Sequence, residues 1–494
     1  MKITFAKAFN TRKTSDCLIV PFIKSGNKVE KAASFSLPSS YKLPISNKDF
    51  KAKPNEVLLM YLNASKEKRV LFLGLGIMND ITLDSIRWAY AEAIRECMKK
   101  GAKRISIILP QIEDMQEQEV LFAASEGLLS GNYAYHRLMT AKDKLERIEA
   151  VQFIGVQGEK SCVDKAMLIA DGVHFARDLV NNNADDETPH HLTQVAQGLK
   201  KLSKKVSVKI FDKKWLVKEK MGLILAVSRG ASVDPYLIQV DYRGAPSSDE
   251  HTVIVGKGVT YDTGGLSLKP TVGMDTMKAD MSGGAAILGA MYSLCQLDLP
   301  INVTALVPTV ENAIGPNSYK PGDVYFSYSG KSVEVTNTDA EGRLILADAL
   351  YYAAKNLKPT RIVDIASLTG AMVVALGDDI AGLFSNNDVL AQHLLEAADQ
   401  TGELLCRMPL YKGYKKLLKS QIADIMNAAK VRHAGSITAS LFLEEFVNKL
   451  PWAHIDIAGP NFLAQPNRYH PIYGTGYGVR LFIELFHRLI KNSK

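Results

Sequence analysis

Residues 252–310 read TVIVGKGVTYDTGGLSLKPTVGMDTMKADMSGGAAILGAMYSLCQLDLPINVTALVPTV. The stretch opens on an apolar, β-branched run, TVIVGKGV, and crosses a glycine-rich polar loop. It then takes a helical pattern, GGAAILGAMYSLCQLDL, and returns to a second apolar run, INVTALVPTV. A strand, a helix and a strand in that order are a βαβ unit. The same alternation continues on both sides, with VSVKIFD (206–212) and LIQVDYRG (237–244) before it and RIVDIASL (361–368) and WAHIDIAG (452–459) after it. GRLILADALYYAAKNL (342–357) and ASLFLEEFVNKL (439–450) supply further helices. This predicts an α/β fold with a mixed or parallel sheet covered by helices on both faces, and chemistry at the loops beyond the strand ends.

A second, smaller α/β region precedes it. VLLMYL (57–62), RVLFLGLG (69–76), KRISIILP (103–110) and VQFIGV (151–156) read as strands, and SIRWAYAEAIRECMKKG (85–101) as an amphipathic helix ending at glycine. Residues 162–182 form a long helical pattern that runs into NNNADDETP, a polar stretch closed by proline. The expected organisation is an N-terminal α/β domain over 1–160, a connecting helix over 161–182 and a larger catalytic domain over 183–494.

Composition narrows the class. The 494 residues are 47% hydrophobic and 23% charged, ordinary globular values, and at about 100–200 residues per domain they predict two or three domains. No run of about 18 uncharged apolar residues occurs, and MKITFAKAFNTRKTSD lacks the apolar centre of a signal peptide, so a soluble cytoplasmic protein without membrane association is expected. Cys17, Cys97, Cys162, Cys295 and Cys406 stand singly, which argues against disulfides and thiolate zinc sites and suggests core fillers.

Several motifs are absent or incomplete. No histidine sits in an HExxH frame, and there is no GxSxG elbow. GLGIMN (74–79) and VGKGVT (255–260) fall short of nucleotide-binding fingerprints, and each reads as a tight strand-to-helix turn. His190 and His191 read as solvated connector residues, and Ser436 as a helix-opening residue.

Two stretches carry chemistry. In 253–280, Lys257, Asp262, Lys269 and Asp280 lie in and after a glycine-rich loop, where Gly264 and Gly265 permit positive φ. In NTDAEGRL (337–344), Asp339, Glu341 and Arg343 alternate, so an extended backbone would point all three one way. Each stretch has a bland reading: a glycine turn flanked by solvated charges, and a helix N-cap at Thr338 or Asp339. Together they supply four carboxylates and two lysines, an oxygen-rich set suited to hard or borderline divalent ions.

VGKGVTYDTGGLSLK and NTDAEGRL resemble the two signature stretches of the leucyl aminopeptidase family, the M17 type of cytosolic exopeptidase. DIASLTGAM (364–372), GSITASLFLEEFV (435–447), WAHIDIAGP (452–460) and GTGYGVRLFIELF (474–486) are similar to further family segments. One departure is Asn183, which stands where relatives carry proline. The resemblance implies two divalent ions per subunit, Mn²⁺ or Zn²⁺. One would be held by Lys257, Asp262, Asp280 and Glu341, and the other by Asp262, Asp339 and Glu341. It implies that Lys269 and Arg343 are catalytic, with bicarbonate held at Arg343, and that Met277, Leu368, Thr369 and Gly370 line the side-chain pocket. The expected activity is removal of N-terminal leucine and other large apolar residues from peptides with a free N-terminus, by a homohexamer.

A rival reading starts from charge. The chain has 60 basic and 52 acidic residues, net +8, and residues 1–160 hold 25 basic against 18 acidic. Such an excess could bind nucleic acid. Against this, lysines 24, 28, 31, 42, 48, 51 and 53 are interleaved with Ser, Pro and Asn, and few aromatics are available for stacking on bases. A solvated exterior is the favoured account.

Overall fold

The computed structural model describes residues 1–26, 28–32, 49–62, 66–140, 146–156 and 160–492, so Lys42 and Lys48 of the basic segment lie outside the described residues. Two compact units emerge: Met1–Ala170 with Gln465–Ile472, and Asp171–Ala464 with Tyr473–Lys494.

Among the described residues, the first unit is built on a seven-stranded sheet. Its order is Lys2–Ala6, Ala150–Ile154, Arg104–Ile108, Cys17–Ser25, Arg69–Ile77 and Val57–Tyr61, with Lys28–Lys31 attached to Cys17–Ser25. Alternation sorts the side chains. Cys17, Ile19, Leu71, Leu73, Ile105 and Ile107 meet Tyr90 and Ile94 of the helix Leu83–Lys99 in one core, while Leu18, Val20, Val70 and Phe72 pack with Phe50 in another. The helix starts where Thr82 Oγ1 accepts from Ser85 N at 3.1 Å and Ser85 Oγ accepts from Thr82 N at 2.9 Å.

The second unit carries a nine-stranded mixed sheet ordered Leu405–Arg407, Ala381–Ser385, Trp452–Asp456, Arg361–Ala366, His251–Gly256, Asn302–Asn312, Tyr236–Arg243 and Val206–Phe211, with Gly258–Asp262 also paired to Asn302–Asn312. The four central strands, from Trp452–Asp456 to Asn302–Asn312, run parallel, and antiparallel neighbours flank them. Helices cover both faces. Val253, Val255, Leu306 and Ile362 share a core with Leu344, Leu346 and Leu350 of the helix Glu341–Tyr352. On the alternate face, Gly256 lies so close to the helix Ser282–Leu297 that a Cβ there would sit 2.5 Å from the Gly283 carbonyl oxygen.

One irregularity positions the site. Pairing along Asn302–Asn312 runs from His251↔Asn302 to Val255↔Leu306 and resumes at Gly258↔Thr309. Pro308, which has no N–H to donate, falls in the gap opposite the break at Lys257. VGKGVT is therefore a break between two strands, not a strand-to-helix turn. GLGIMN is likewise the end of the strand Arg69–Ile77 followed by a short 3₁₀ turn, Met78–Asp80. No helix among the described residues is long and apolar enough to cross a membrane.

Candidate metal centre

Lys257 leaves the strand His251–Gly256 at its C-terminal end, and its Nζ turns into the second unit beside Asp280 (2.7 Å), Glu341 (2.8 Å) and the Ser367 carbonyl (3.0 Å). Gly342 makes the room: a Cβ there would lie 2.5 Å from Lys257 Cε. Asp262 ends the following strand. The loop then turns back through Gly264 (φ 85°) and Gly265 (φ 63°), as expected, because the left-handed region is readily open only to glycine. That turn delivers Lys269, whose Nζ lies 2.8 Å from Asp262 and 2.5 Å from Asp339.

The two signature stretches are stitched together. Thr338 Oγ1 donates to the Gly264 carbonyl at 2.6 Å and accepts from Ser267 N at 2.7 Å. Asn312 Nδ2 donates to Asp262 Oδ1 at 2.7 Å and to the Thr338 carbonyl at 3.0 Å. The N-cap reading of Thr338 or Asp339 is thereby replaced: Ala340 flanks the helix Glu341–Tyr352 without a side-chain cap. The alternating, extended reading of Asp339, Glu341 and Arg343 is corrected as well. Glu341 and Arg343 belong to the first helical turn, and they reach one cavity because the helix meets it end-on.

The eleven residues expected at the site, five as ligands, two as catalytic and four as pocket wall, all line that cavity, which has a volume of about 480 Å³. Asp262, Asp280 and Glu341 are buried, and each offers an oxygen within 4.8 Å of the others; Asp339 lies outside this tight triplet but beside it. Met277 is half-buried and forms part of the cavity wall.

Burial and like charge work together here. Burial first, then Glu341, push the Asp262 carboxyl up to about 6 against the pull of Lys269 and Lys257. Burial also raises Asp280 and Asp339. Burial alone would raise Glu341 too, yet Lys257 and Lys269 outweigh it and hold this group below its ordinary value. Burial opposes the charge on both lysines, and the surrounding carboxylates reverse the effect and hold each ammonium above its usual pKa. Burial pushes the Arg343 guanidinium down to about 10. Glu341 Oε2 is buried with no hydrogen-bond partner. A carboxylate oxygen left unpaired among three other acids is the donor chemistry that divalent ions satisfy, so the residues fit such ions.

Residues 174–483 match the catalytic domain of the cytosol aminopeptidase family, and residues 19–142 match that family's N-terminal domain. The chain belongs to the cytosol aminopeptidase family. A protein of Protochlamydia amoebophila named "Probable cytosol aminopeptidase" is 45% identical over 100% of both chains, and one from Chlamydia trachomatis serovar A with the same name is 44% identical over 99% of this chain and 100% of its own. Among solved structures, the bottromycin maturation enzyme BotP in complex with Mn superposes with a TM-score of 0.86 at 31% identity, covering 96% of this chain and 99% of that one. Membership makes the chain a peptidase acting at peptide N-termini.

Sequence reasoning missed the residues that hold this aminopeptidase site in shape. Asp456, ending the strand Trp452–Asp456, accepts from Leu368 N (3.0 Å) and Thr369 Oγ1 (2.7 Å) and so fixes the pocket wall. Asn427 accepts at Oδ1 from Thr336 N (2.8 Å) and receives Arg343 Nη1 on its carbonyl (2.8 Å). Their partners lie 84 to 91 residues away in sequence, beyond any local pattern. Elsewhere, His191 pairs with Glu187 at 2.8 Å and His190 is exposed, so neither joins the site. Ser436 is the second residue of the helix Gly435–Glu444. Cys17, Cys97 and Cys295 are buried as expected, whereas Cys162 and Cys406 are only partly so.

Proposed function

We propose that this protein is a cytoplasmic, homohexameric leucyl aminopeptidase that uses two divalent ions per subunit, Mn²⁺ or Zn²⁺. The observation that carries the reading is the buried triplet of Asp262 at a strand end, Asp280 in a 3₁₀ turn and Glu341 opening a helix, in a chain of this family. Lys257, Asp262, Asp280 and Glu341 would hold one ion, and Asp262, Asp339 and Glu341 the other. When bound, such ions supply Lewis-acid activation of water and of the peptide carbonyl.

The chain's own groups do the rest. The Lys269 ammonium, kept protonated by Asp262, Glu341 and Asp339, donates from Nζ to the oxyanion that develops on the carbonyl. Arg343 has a buried Nε with no hydrogen-bond partner, and its planar fork matches a planar anion such as bicarbonate, which would accept the proton of the attacking water. Leu368 and Thr369, held by Asp456, line the cavity together with Gly370 and Met277, which supports a preference for leucine and similar side chains. The hexamer and the cytoplasmic location rest on resemblance to the family and on its members' name.

A panel of aminoacyl amides assayed with metal-free protein, after addition of Mn²⁺, Zn²⁺ or Co²⁺, tests the reading. Turnover that needs metal and is greatest for leucine supports it, and metal-independent turnover contradicts it.

A further inference from the structure

The segment 428–435 joins two residues of the cavity wall, Ala428 and Gly435. Between them Lys430, Val431, Arg432 and His433 are exposed. The segment is held at both ends. Asn427, just before it, is buried and donates from Nδ2 to the Asn337 carbonyl at 2.7 Å, besides its bonds to Thr336 and Arg343. At the far end, Ala434 adopts φ 57°, a left-handed conformation costly for a residue with a Cβ, immediately before the helix that opens at Gly435.

The charge on this segment is one-sided. Residues 412–433 hold six basic side chains and one acidic, Asp424. The nearby acids are engaged elsewhere: Asp424 accepts from Ser332 N (2.8 Å) and Oγ (2.9 Å), and Glu444 and Glu445 pair with Lys415 at 3.0 and 2.7 Å. Among the described residues, no ion pair engages Lys430, Arg432 or His433. Two cations, Lys430 and Arg432, and the imidazole of His433 therefore stand on an anchored loop beside the cavity, with no ion pair among the described residues.

We propose that Lys430, Arg432 and His433 form a rim that recognises a carboxylate on the part of the peptide just beyond the scissile bond. The inference rests on the aminopeptidase reading. Successive Cα atoms are about 3.8 Å apart, so a carboxylate on the second residue lies one short step from the bond that is cut. It could be the C-terminus of a dipeptide or an acidic side chain. An arginine fork accommodates either, and an exposed charge pair adds a modest, salt-screened increment to binding.

Four substrates separate the sources: Leu-Gly against Leu-Gly-amide, and Leu-Asp-amide against Leu-Asn-amide. Each is assayed with the Mn²⁺-loaded full chain at low and high salt. The wild type should favour the carboxylate member by about three- to tenfold in kcat/KM, carried by KM and reduced by salt. The double variant Lys430→Gln, Arg432→Gln should lose the preference, and Arg432→Glu should weaken or invert it. A preference in the first pair alone assigns the rim to C-termini, and in the second alone to acidic side chains. Equal turnover within both pairs by the wild type, or a preference that survives the double variant, overturns the inference. Turnover of none of the four overturns the aminopeptidase reading and this inference with it.

Discussion

Asn312 donates a hydrogen bond from Nδ2 to Asp262 Oδ1 at 2.7 Å, between residues that face each other where the strands Asn302–Asn312 and Gly258–Asp262 end. The same amide nitrogen holds the Thr338 carbonyl, so one side chain sets the spacing of the two signature stretches. Replacing Asn312 by Ala removes this bracket while leaving every proposed ligand in place. We expect metal affinity to fall about 10- to 100-fold, the range seen when a group orienting a ligand is lost. Calorimetric titration of Mn²⁺ into both proteins measures it, and equal affinities would show that Asn312 does not orient Asp262.

Lys269 is proposed to act on the transition state. Lys269→Ala should lower kcat by about 10²-fold or more with unchanged metal content, the scale of a lost oxyanion donor. Lys269 contacts Asp262 and Asp339 at 2.8 and 2.5 Å, so loss of metal from this variant would instead assign it a supporting role in the ion site.

The substrate amine gives a third expectation. An exopeptidase that takes the free α-amine into the carboxylate cluster should cleave Leu-amide and leave N-acetyl-Leu-amide intact. Comparable turnover of the two, followed by chromatography of the products, would reassign the enzyme to internal cleavage.

A buried pair beneath the site predicts a pH dependence of stability. His454 Nδ1 lies 2.6 Å from Asp364 Oδ1, and Trp452 Nε1 donates to Asp364 Oδ2 at 2.7 Å. Burial opposes charge on the imidazole, but Asp364, helped by Asp456, outweighs it and raises the His454 pKa. A folded-state histidine pKa above the unfolded value of about 6.5 gives stability that is complete below that pH and is lost as pH rises through the folded value. Thermal midpoints of the wild type should therefore fall from about pH 6.5 upward. Those of His454→Gln should start lower, by about 3–5 kcal/mol for a broken buried pair, and stay flatter. Parallel profiles for the two proteins would remove His454 from the account.

How much of this was legible follows from where the information lies. Lys257, Asp262, Asp280, Asp339 and Glu341 sit in two short stretches, each with a bland reading of its own; only the two together pointed to divalent ions, the resemblance supplied the ligand set, and the structure brings all five to one cavity. The shape of those stretches was less so. Alternation at 339, 341 and 343 imitates a strand, but the apolar run after Arg343 makes the helix, and tertiary packing of Leu344, Leu346 and Leu350 decides it. The strand Cys17–Ser25 went unread although it is central in its sheet. Pro21 breaks its pattern, and it is tolerated because pairing with Arg104–Ile108 ends at Ile19 and pairing with Lys28–Lys31 begins at Phe22. Asn312, Asn427 and Asp456 could not be singled out, because each acts through partners distant in sequence.

The central claim is that four clustered carboxylates hold two ions. Elemental analysis of the active protein at saturating Mn²⁺, alongside Glu341→Ala, tests it most directly. The account predicts two ions per chain in the wild type, and in the variant at least one ion fewer together with loss of activity. One ion per fully active wild-type chain at saturation would contradict it.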